Sequence, residues 1–228
     1  MAENRFLQLP YKFDPAAMQQ DLQHCMALQW PTHFNQKDYI GEWNSISLRS
    51  ASGRPQDISS FAGSVFKDTD LLQQTPYFSY ILHQFNCPLE AVRLLRLGKD
   101  AMIKPHRDLD TGYKDGNVRI HIPVITHPEV IFMLDDVRLE MKAGECWYAD
   151  FTYLHSVVNN SPVDRVHLVI DALRNDWTDE LFSQQGFPLP SSQAVMDKNT
   201  LQLMIAELEN HPTPNQALIA QLKASFSN

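Results

Sequence analysis

The chain has 228 residues, and 19 Lys and Arg against 27 Asp and Glu give it a formal charge of −8 at pH 7. This length, with 43% hydrophobic residues, allows one domain with a substantial core, or a domain with a small extension. The sequence has no cluster of Lys and Arg, which argues against binding to nucleic acid. No apolar run reaches the roughly 18 residues of a membrane span, and the first residues lack the pattern of a signal peptide. We therefore expect no membrane partner and no export.

The three cysteines, Cys25, Cys87 and Cys146, are far apart and odd in number. Because no C-x-x-C pair exists, the sequence suggests neither a disulfide framework nor a structural zinc site. We expect three buried thiols in a protein of the reducing cytoplasm.

Two helices are predicted before and among the first strands. Asp14-Pro15 is typical of a helix start, with Asp14 as the N-cap and Pro15 at the first helical position. Apolar residues then follow at helical spacing, namely Met18, Leu22, Cys25 and Met26. Thr75-Pro76 marks a second start, before a helix over 77–85.

From residue 44 to residue 173 the apolar pattern has the period of two that indicates strands. Pro123 lies within one of these segments, so that strand should be at a sheet edge or carry a bulge. Asp135-Asp136 separates two segments that predict a hairpin. About eight strands are expected, at 46–48, 91–97, 118–124, 130–134, 137–141, 144–149, 155–158 and 165–173. This number of short strands predicts a β-sandwich or jelly roll with helices over one face.

The last part of the chain has a different pattern. A turn or linker is predicted at 188–192, and a helix follows with Leu201, Met204, Ile205 and Leu208 on one face. A capping box at 213–216 predicts a last helix that carries Leu218, Ile219 and Leu222.

A His-x-Asp pair, His106 and Asp108, lies within the strand-rich region. On an extended backbone these two side chains converge while Arg107 points away. One imidazole and one carboxylate are two thirds of the 2-His-1-carboxylate triad, which binds Fe(II) and leaves three coordination positions open. His155 is the best candidate for the third ligand, because it begins a strand just before the turn at 159–162.

Arg165 follows that turn. If the strands on either side of the turn pair with each other, Arg165 lies roughly 7 Å from His155, two residues' rise along the sheet. This is comparable to the length of a dicarboxylate, so Arg165 would bind its far carboxylate while the near end chelates the iron. The distance depends on that assumed pairing.

The block 91–172 resembles the Fe(II)- and 2-oxoglutarate-dependent aspartyl/asparaginyl β-hydroxylase family, including its bacterial proline hydroxylase branch. The matching segments are PHRD at 105–108, VRIHIP at 118–123, AGECWY at 143–148, LHS at 154–156 and RVHLVID at 165–171. The resemblance implies a double-stranded β-helix, Fe(II) on His106, Asp108 and His155, and 2-oxoglutarate on Arg165. We predict an oxygenase domain with N-terminal helices over 1–175 and a C-terminal helical extension over 176–228.

The resemblance also suggests further residues for the same cavity. Arg119 and His121 are expected to line it as cosubstrate-binding candidates, and strand alternation places both on one face. His121 and His167 equally fit ordinary hydrogen-bonded strand histidines. Arg49 follows a Trp-then-Leu-Arg pattern of the amino-acid hydroxylase branch and is a candidate for a substrate carboxylate, although an exposed arginine fits as well. The segment 109–117 is either a loop over the site or a plain connector.

The predicted reaction is hydroxylation of an unactivated C–H bond of an amino acid, free or as a peptidyl Asp, Asn or Pro residue. Dioxygen and 2-oxoglutarate are consumed, and succinate and carbon dioxide are released. Asp108 favours hydroxylation, because halogenases of this type lack the carboxylate. Two alternatives stay open: a cupin-like metal enzyme that uses no 2-oxoglutarate, and a non-catalytic β-sandwich binding module. A protein kinase is excluded, because Tyr113 stands where the H-R-D motif requires Asn. The sequence leaves the oligomeric state open.

Overall fold

The computed structural model describes residues 5–60, 64–109, 111–189, 198–209 and 219. The chain divides into two compact units, Met1–Pro188 and Leu189–Asn228. The first unit contains twelve described strands: β1 (Phe6–Lys12), β2 (Tyr39–Ile40), β3 (Trp43–Ser50), β4 (Lys67–Asp68), β5 (Leu89–Leu97), β6 (Ala101–His106), β7 (Asn117–Ile125), β8 (Val130–Leu134), β9 (Val137–Arg138), β10 (Glu145–Ala149), β11 (His155–Asn159) and β12 (Arg165–Leu173).

The strands form two antiparallel sheets. The larger has the order β1-β10-β7-β12-β5-β3-β4, and the smaller has the order β2-β6-β11-β8-β9. One apolar cluster fills the space between the sheets, with Trp43, Ile103, Phe132, Phe151 and Val157 among its members. Two sheets of antiparallel strands around such a core are the jelly-roll architecture, and the predicted fold class is confirmed.

The helices of the first unit lie over the other face of the larger sheet. They are α1 (Pro15–Met26), α2 (Asp70–Gln73), α3 (Pro76–Leu82) and α4 (Asp176–Gln184). The second unit contains α5 (Lys198–Glu209). Both predicted helix starts are confirmed, and Asp14 caps α1 by accepting a hydrogen bond from the N–H of Ala16 at 2.8 Å. The buried carboxylate of Asp21 accepts from the N–H groups of Tyr77 and Phe78 at 2.7 and 2.9 Å, so α1 supplies the cap of α3.

Strand alternation decides which residues of β7 and β12 reach the inside of the jelly roll. Val166, Leu168 and Ile170 belong to the apolar cluster under the helices. Their neighbours Arg165 and His167 point to the opposite side, between the sheets, because successive strand residues face opposite ways. Both faces of β12 are therefore covered, and eight of its nine residues are buried.

Pro123 lies in β7, which is an inner strand between β10 and β12. The edge position that we considered for it is therefore wrong. The bulge is confirmed, because the register of β7 and β12 shifts between Val166 and His167, and His167 is opposite Pro123. The predicted hairpin at Asp135-Asp136 is also confirmed, since β8 and β9 pair in antiparallel fashion.

The assumed pairing across the turn at 159–162 is wrong. β11 pairs with β6 and β8 in the smaller sheet, whereas β12 pairs with β5 and β7 in the larger one. Asn159 is the physical reason, because its buried amide donates to the carbonyl oxygens of Leu97, Gly98 and Val163 at 3.1, 2.9 and 2.9 Å. These bonds direct the chain from one sheet to the other, so the sequence estimate of the distance from His155 to Arg165 has no basis.

The first compact unit extends to Pro188 and includes α4, which the sequence analysis assigns to the C-terminal extension. Phe182 of α4 is fully buried and stacks on Tyr113 with ring centroids 4.4 Å apart. In the second unit, Ile205 of α5 is buried in a small apolar cluster with Ile219. The linker residues 190–192 and the capping box at 213–216 lie outside the described residues. In the described part of the chain, no helix has the length and apolar character needed to cross a membrane.

Candidate active site

Three predicted metal ligands come together between the two sheets. His106 ends β6, His155 begins β11, and the two are register partners with ring centroids 4.1 Å apart. Asp108 follows β6, and its backbone N–H donates to the carbonyl of Phe151 at 2.9 Å. One ligand atom from each of the three side chains lies within 4.8 Å of the others. Two imidazoles and one carboxylate at this separation form a three-ligand site for a divalent metal ion.

Backbone carbonyls orient both imidazoles. The Nδ1 atom of His106 lies 2.8 Å from the carbonyl of Lys104, and the Nδ1 atom of His155 lies 3.0 Å from that of Tyr153. Since a carbonyl only accepts, each Nδ1 carries a proton and each Nε2 keeps its lone pair for a metal. Burial lowers the pKa of His155 to about 4, which keeps this ring neutral at pH 7.

The carboxylate of Asp108 is held from behind by a chain of ion pairs. Its Oδ1 atom lies 3.5 Å from Nε2 of His106, while its Oδ2 atom accepts from Nη1 of Arg119 at 2.6 Å. Arg119 Nε donates to Asp171 Oδ1 at 2.6 Å, and Arg93 Nη2 donates to Asp171 Oδ2 at 2.5 Å. Arg119 and Asp171 are register partners on β7 and β12, so the sheet itself sets their distance.

This chain of charges is balanced within the protein. Burial alone would lower the pKa of Arg119, but Asp171 and Asp108 raise it above its ordinary value. Burial likewise opposes ionisation of Asp171, yet Arg119 and Arg93 lower the pKa of this carboxyl. Two guanidinium groups thus face two carboxylates.

Arg165 has a different environment. Its side chain is among the largest fully buried ones, and no acidic residue of the described chain forms an ion pair with it. Nη2 contacts Nδ1 of His167 at 2.9 Å, Nε has no hydrogen-bond partner, and the guanidinium lies over the ring of Phe132 at 5.8 Å. Burial lowers the pKa of this guanidinium to about 9. A buried, uncompensated cation costs free energy that an anionic ligand would offset.

His121 and His167 extend this basic group. Since Arg165 donates to Nδ1 of His167, that nitrogen is an acceptor, and Nδ1 of His121 lies 3.3 Å from it. Nε2 of His121 is buried without a partner. Burial holds the pKa of both rings well below the ordinary value, so both are neutral. His167 is thus a hydrogen-bonded strand histidine, whereas His121 has one polar atom left for a ligand.

A cavity of about 430 Å³ joins these groups. Its lining includes the three metal-ligand candidates together with Arg93, Arg119, His121 and Arg165. Aromatic and apolar side chains, among them His33, Phe34, Trp43 and Leu109, complete the wall. The donor set fits a ferrous ion, because neutral imidazoles and a carboxylate are its preferred ligands and the cavity leaves open space beside them. The unpaired guanidinium in the same cavity fits the far carboxylate of 2-oxoglutarate.

The structure does not bring Arg49 to this cavity. Its guanidinium forms an ion pair with Asp68, and its Nε donates to the carbonyl of Leu89 at 3.2 Å. Arg49 is paired within the sheet edge formed by β3 and β4, so nothing supports the substrate role considered from the sequence. In the segment 109–117, Leu109 and Thr111 line the cavity, while Tyr113 is buried and anchors the other end.

Sequence reasoning missed Arg93 and Asp171. Both are charged residues of inner strands of the larger sheet, and both are buried. Asp171 could have been found, because counting in steps of two from Arg165 reaches it on the same face of β12. Arg93 has no comparable signal, since its position depends on the pairing of β5 with β12.

Comparison with known proteins identifies the family. The aspartyl/asparaginyl β-hydroxylase family matches residues 13–175, which include every ligand candidate described above. The chain belongs to this family. The predicted family resemblance is confirmed.

Two curated relatives show the branch. The chain is 32% identical to L-proline cis-3-hydroxylase 1 of Streptomyces sp over 146 residues, which are 61% of this chain and 50% of the relative. It is 28% identical to L-proline cis-4-hydroxylase of Rhizobium meliloti over 167 residues, 70% of this chain and 58% of the relative. The chain thus spans about half the length of the curated relatives it matches. A solved oxidoreductase of the 2OG-Fe(II) oxygenase family from Burkholderia pseudomallei has a TM-score of 0.51 at 13% identity, over 75% of this chain and 86% of that one, which supports the fold alone.

Proposed function

We propose that this chain is a non-haem Fe(II)- and 2-oxoglutarate-dependent dioxygenase that hydroxylates an unactivated C–H bond of an amino acid. One observation carries the proposal: a two-histidine, one-carboxylate cluster shares its cavity with a buried arginine that has no anionic partner in the described chain. A dicarboxylate with a chelating end satisfies both groups at once.

In this proposal His106, Asp108 and His155 hold the Fe(II) ion, and Arg165 binds the distal carboxylate of 2-oxoglutarate. When bound, the ion and its cosubstrate supply the oxidising chemistry with dioxygen, and succinate and carbon dioxide are the by-products. His121 offers its unpartnered Nε2 atom in the same cavity.

The protein positions the metal-ligand side chains and keeps water out of the cavity. The carbonyls of Lys104 and Tyr153 fix the two imidazoles, and Arg119 occupies the outer oxygen of Asp108. Oδ1 of Asp108 is thereby left for the metal. Phe132 and Phe151 wall the cavity with apolar surface, which excludes water and strengthens the electrostatic contacts inside.

The charges of the cavity bear on the substrate. Arg93, Arg107, Arg119 and Arg165 line the cavity with four positive charges, whereas Asp108 in the lining and Asp171 beside Arg93 and Arg119 carry two negative ones. A ferrous ion and a doubly charged 2-oxoglutarate cancel each other, so two positive charges remain. This surplus supports a substrate with a carboxylate. We favour a free amino acid, and the curated relatives make proline the first to test.

The three cysteines support a reducing compartment. Cys25, Cys87 and Cys146 are all free thiols. Burial raises the pKa of Cys25 to about 12 and that of Cys87 to about 11, so neither is a reactive thiolate at pH 7. We propose the cytoplasm as the place of the reaction.

A screen of the twenty amino acids for substrate-stimulated succinate release tests the proposal. We expect one amino acid, or a few similar ones, to raise succinate formation and to gain one oxygen atom. Arg165→Ala should lose this activity, while Arg49→Ala, an arginine outside the cavity, should keep it. Product formed without 2-oxoglutarate would favour the cupin-like alternative. Failure to bind Fe(II) at all would favour a binding module.

A further inference from the structure

A second cavity, of about 320 Å³, shares Arg165 and Phe132 with the active-site cavity. Its remaining walls come from the connection between β7 and β8, from the connection between β9 and β10, and from Val130, Arg138 and His167 in the neighbouring strands. None of the three metal-ligand candidates lines it. The second cavity is therefore a separate space that reaches the same guanidinium.

The charges around the second cavity favour an anion. Among the described residues that line it, Arg138, Lys142 and Arg165 are cations and Glu140 is an acid, and these four groups have a net charge of +2. This surplus stands out in a chain whose formal charge is −8. A concave site of one sign concentrates ligands of the opposite sign.

The walls also limit the kind of anion. Val130, Leu139 and Met141 give the cavity an apolar side, and Arg165 with His167 forms a buried polar end. Nε of Arg165 is buried and has no partner, so the polar end contains an unused donor. A volume of about 320 Å³ is at the small end of ligand pockets. These features together fit a short hydrocarbon chain that ends in a carboxylate.

We infer that the second cavity binds a short-chain aliphatic monocarboxylate, with its carboxylate on Arg165 and its chain against Val130, Leu139 and Met141. Binding there does not depend on the proposed function. One consequence does rest on it: a single guanidinium serves both cavities, so the monocarboxylate and 2-oxoglutarate weaken each other's binding by the same factor.

Calorimetric titration of the metal-free protein with hexanoate tests the inference. Ala143 lines the second cavity but not the active site, so Ala143→Phe fills the second cavity alone. Ala51→Phe is the matched control, because Ala51 lies on the turn between β3 and β4 and lines neither cavity. Hexanamide serves as the uncharged analogue of the ligand. Thr126→Phe, also in the second cavity alone, replaces Ala143→Phe if that variant does not fold.

We expect wild type and Ala51→Phe to bind hexanoate equally, and Ala143→Phe to bind it at least about tenfold more weakly. Hexanamide should bind more weakly than hexanoate by a similar factor. The inference is overturned if both cavity-filling variants bind hexanoate as tightly as wild type does. It is also overturned if wild type binds hexanamide as tightly as hexanoate, or does not bind hexanoate. Titration of the Ni(II)-loaded protein with 2-oxoglutarate is the separate check on the proposed function. If 2-oxoglutarate does not bind to the Ni(II)-loaded protein, the proposed function fails while the hexanoate result stands.

Discussion

Two arginines inside the jelly roll differ in how their charge is balanced. Arg119 lies between two carboxylates, with 2.6 Å contacts to Asp108 and to Asp171. In the described part of the chain, Arg165 has no ion pair, and it contacts a neutral histidine, His167, and the face of Phe132. Both side chains point between the sheets and line the same cavity.

The difference separates structural charge from ligand-binding charge. Two carboxylates of the protein compensate the charge of Arg119, so this residue can hold Asp108 in place without any ligand. Arg165 has been desolvated without an internal partner, which costs folding free energy. A protein tolerates that cost where a ligand offsets it. We therefore propose that Arg119 positions Asp108 and that Arg165 binds a ligand.

The largest expected effect comes from the three proposed metal ligands, which line the same cavity as the two arginines. His106→Ala, Asp108→Ala or His155→Ala should reduce turnover by more than the roughly 10- to 100-fold that is usual for loss of an outer-shell partner. Loss of one of three ligands removes the ion itself. Bound iron and coupled succinate release are the measurements, with His24→Ala on the exposed face of α1 as the histidine control. Wild-type turnover in any one variant would remove that residue from the site.

The two arginines should have opposite effects on the stability of the metal-free protein. Arg119→Met leaves Asp108 and Asp171 with fewer partners and should lower the free energy of unfolding by about 3–5 kcal/mol, as for a broken buried pair. Arg165→Met removes an unpaired buried charge and should be neutral or stabilising, by up to about 3 kcal/mol. Urea unfolding at pH 7 measures both. A large loss of stability in Arg165→Met would show that its charge is compensated after all.

Much of what places Arg119 and Arg165 between the sheets can be predicted from the sequence. The alternation along β7 and β12 places Arg119, His121, Arg165 and His167 between the sheets, because each strand packs its apolar residues under the helices. The His106–Asp108 pair also follows from spacing along one segment. Local patterns of this kind need only the geometry of a single strand.

Pairing between distant strands was harder to predict. The turn at 159–162 has the composition of a hairpin, but Asn159 binds the carbonyls of Leu97 and Gly98, about 60 residues away in the chain, and separates the two strands. Arg93 reaches the site by a similar long-range pairing. Neither contact has a signal within its own segment. The sequence prediction therefore put Arg165 near the iron by assuming that β11 and β12 pair, which they do not.

Asp171 allows a finer test of the comparison. It forms ion pairs with Arg119 and Arg93 and is not one of the three metal-ligand candidates. Asp171→Asn keeps the shape and removes the charge, so Arg119 should hold Asp108 less firmly. We expect Fe(II) affinity to fall by about 10- to 100-fold, the usual range for outer-shell partners. The affinity for 2-oxoglutarate at saturating metal should change much less. An equal loss of both affinities would indicate general damage to the cavity rather than a positioning role.

A smaller effect concerns pH and His33, at the wall of the cavity. This ring is stacked on Trp43 with centroids 3.5 Å apart, and burial lowers its pKa to about 4. Between pH 6.5, the ordinary value, and pH 4 the unfolded chain binds a proton that the folded chain does not. The free energy of unfolding therefore falls as the pH falls through this range, by up to about 1.4 kcal/mol per pH unit for this one group. Above pH 6.5 the contribution of His33 no longer changes with pH. His33→Phe keeps the stacking, so its urea midpoint should depend less steeply on pH; an unchanged slope would contradict the assignment.

The most direct measurement is the affinity for 2-oxoglutarate of wild type, Arg165→Met and Arg49→Met, each loaded to the same occupancy with redox-inert Ni(II). Equal occupancy separates cosubstrate binding from metal binding. The account predicts that Arg165→Met loses at least about 2.8 kcal/mol, a factor of about 100, while Arg49→Met binds as wild type does. Wild-type affinity in Arg165→Met would contradict the claim that this buried arginine holds the cosubstrate.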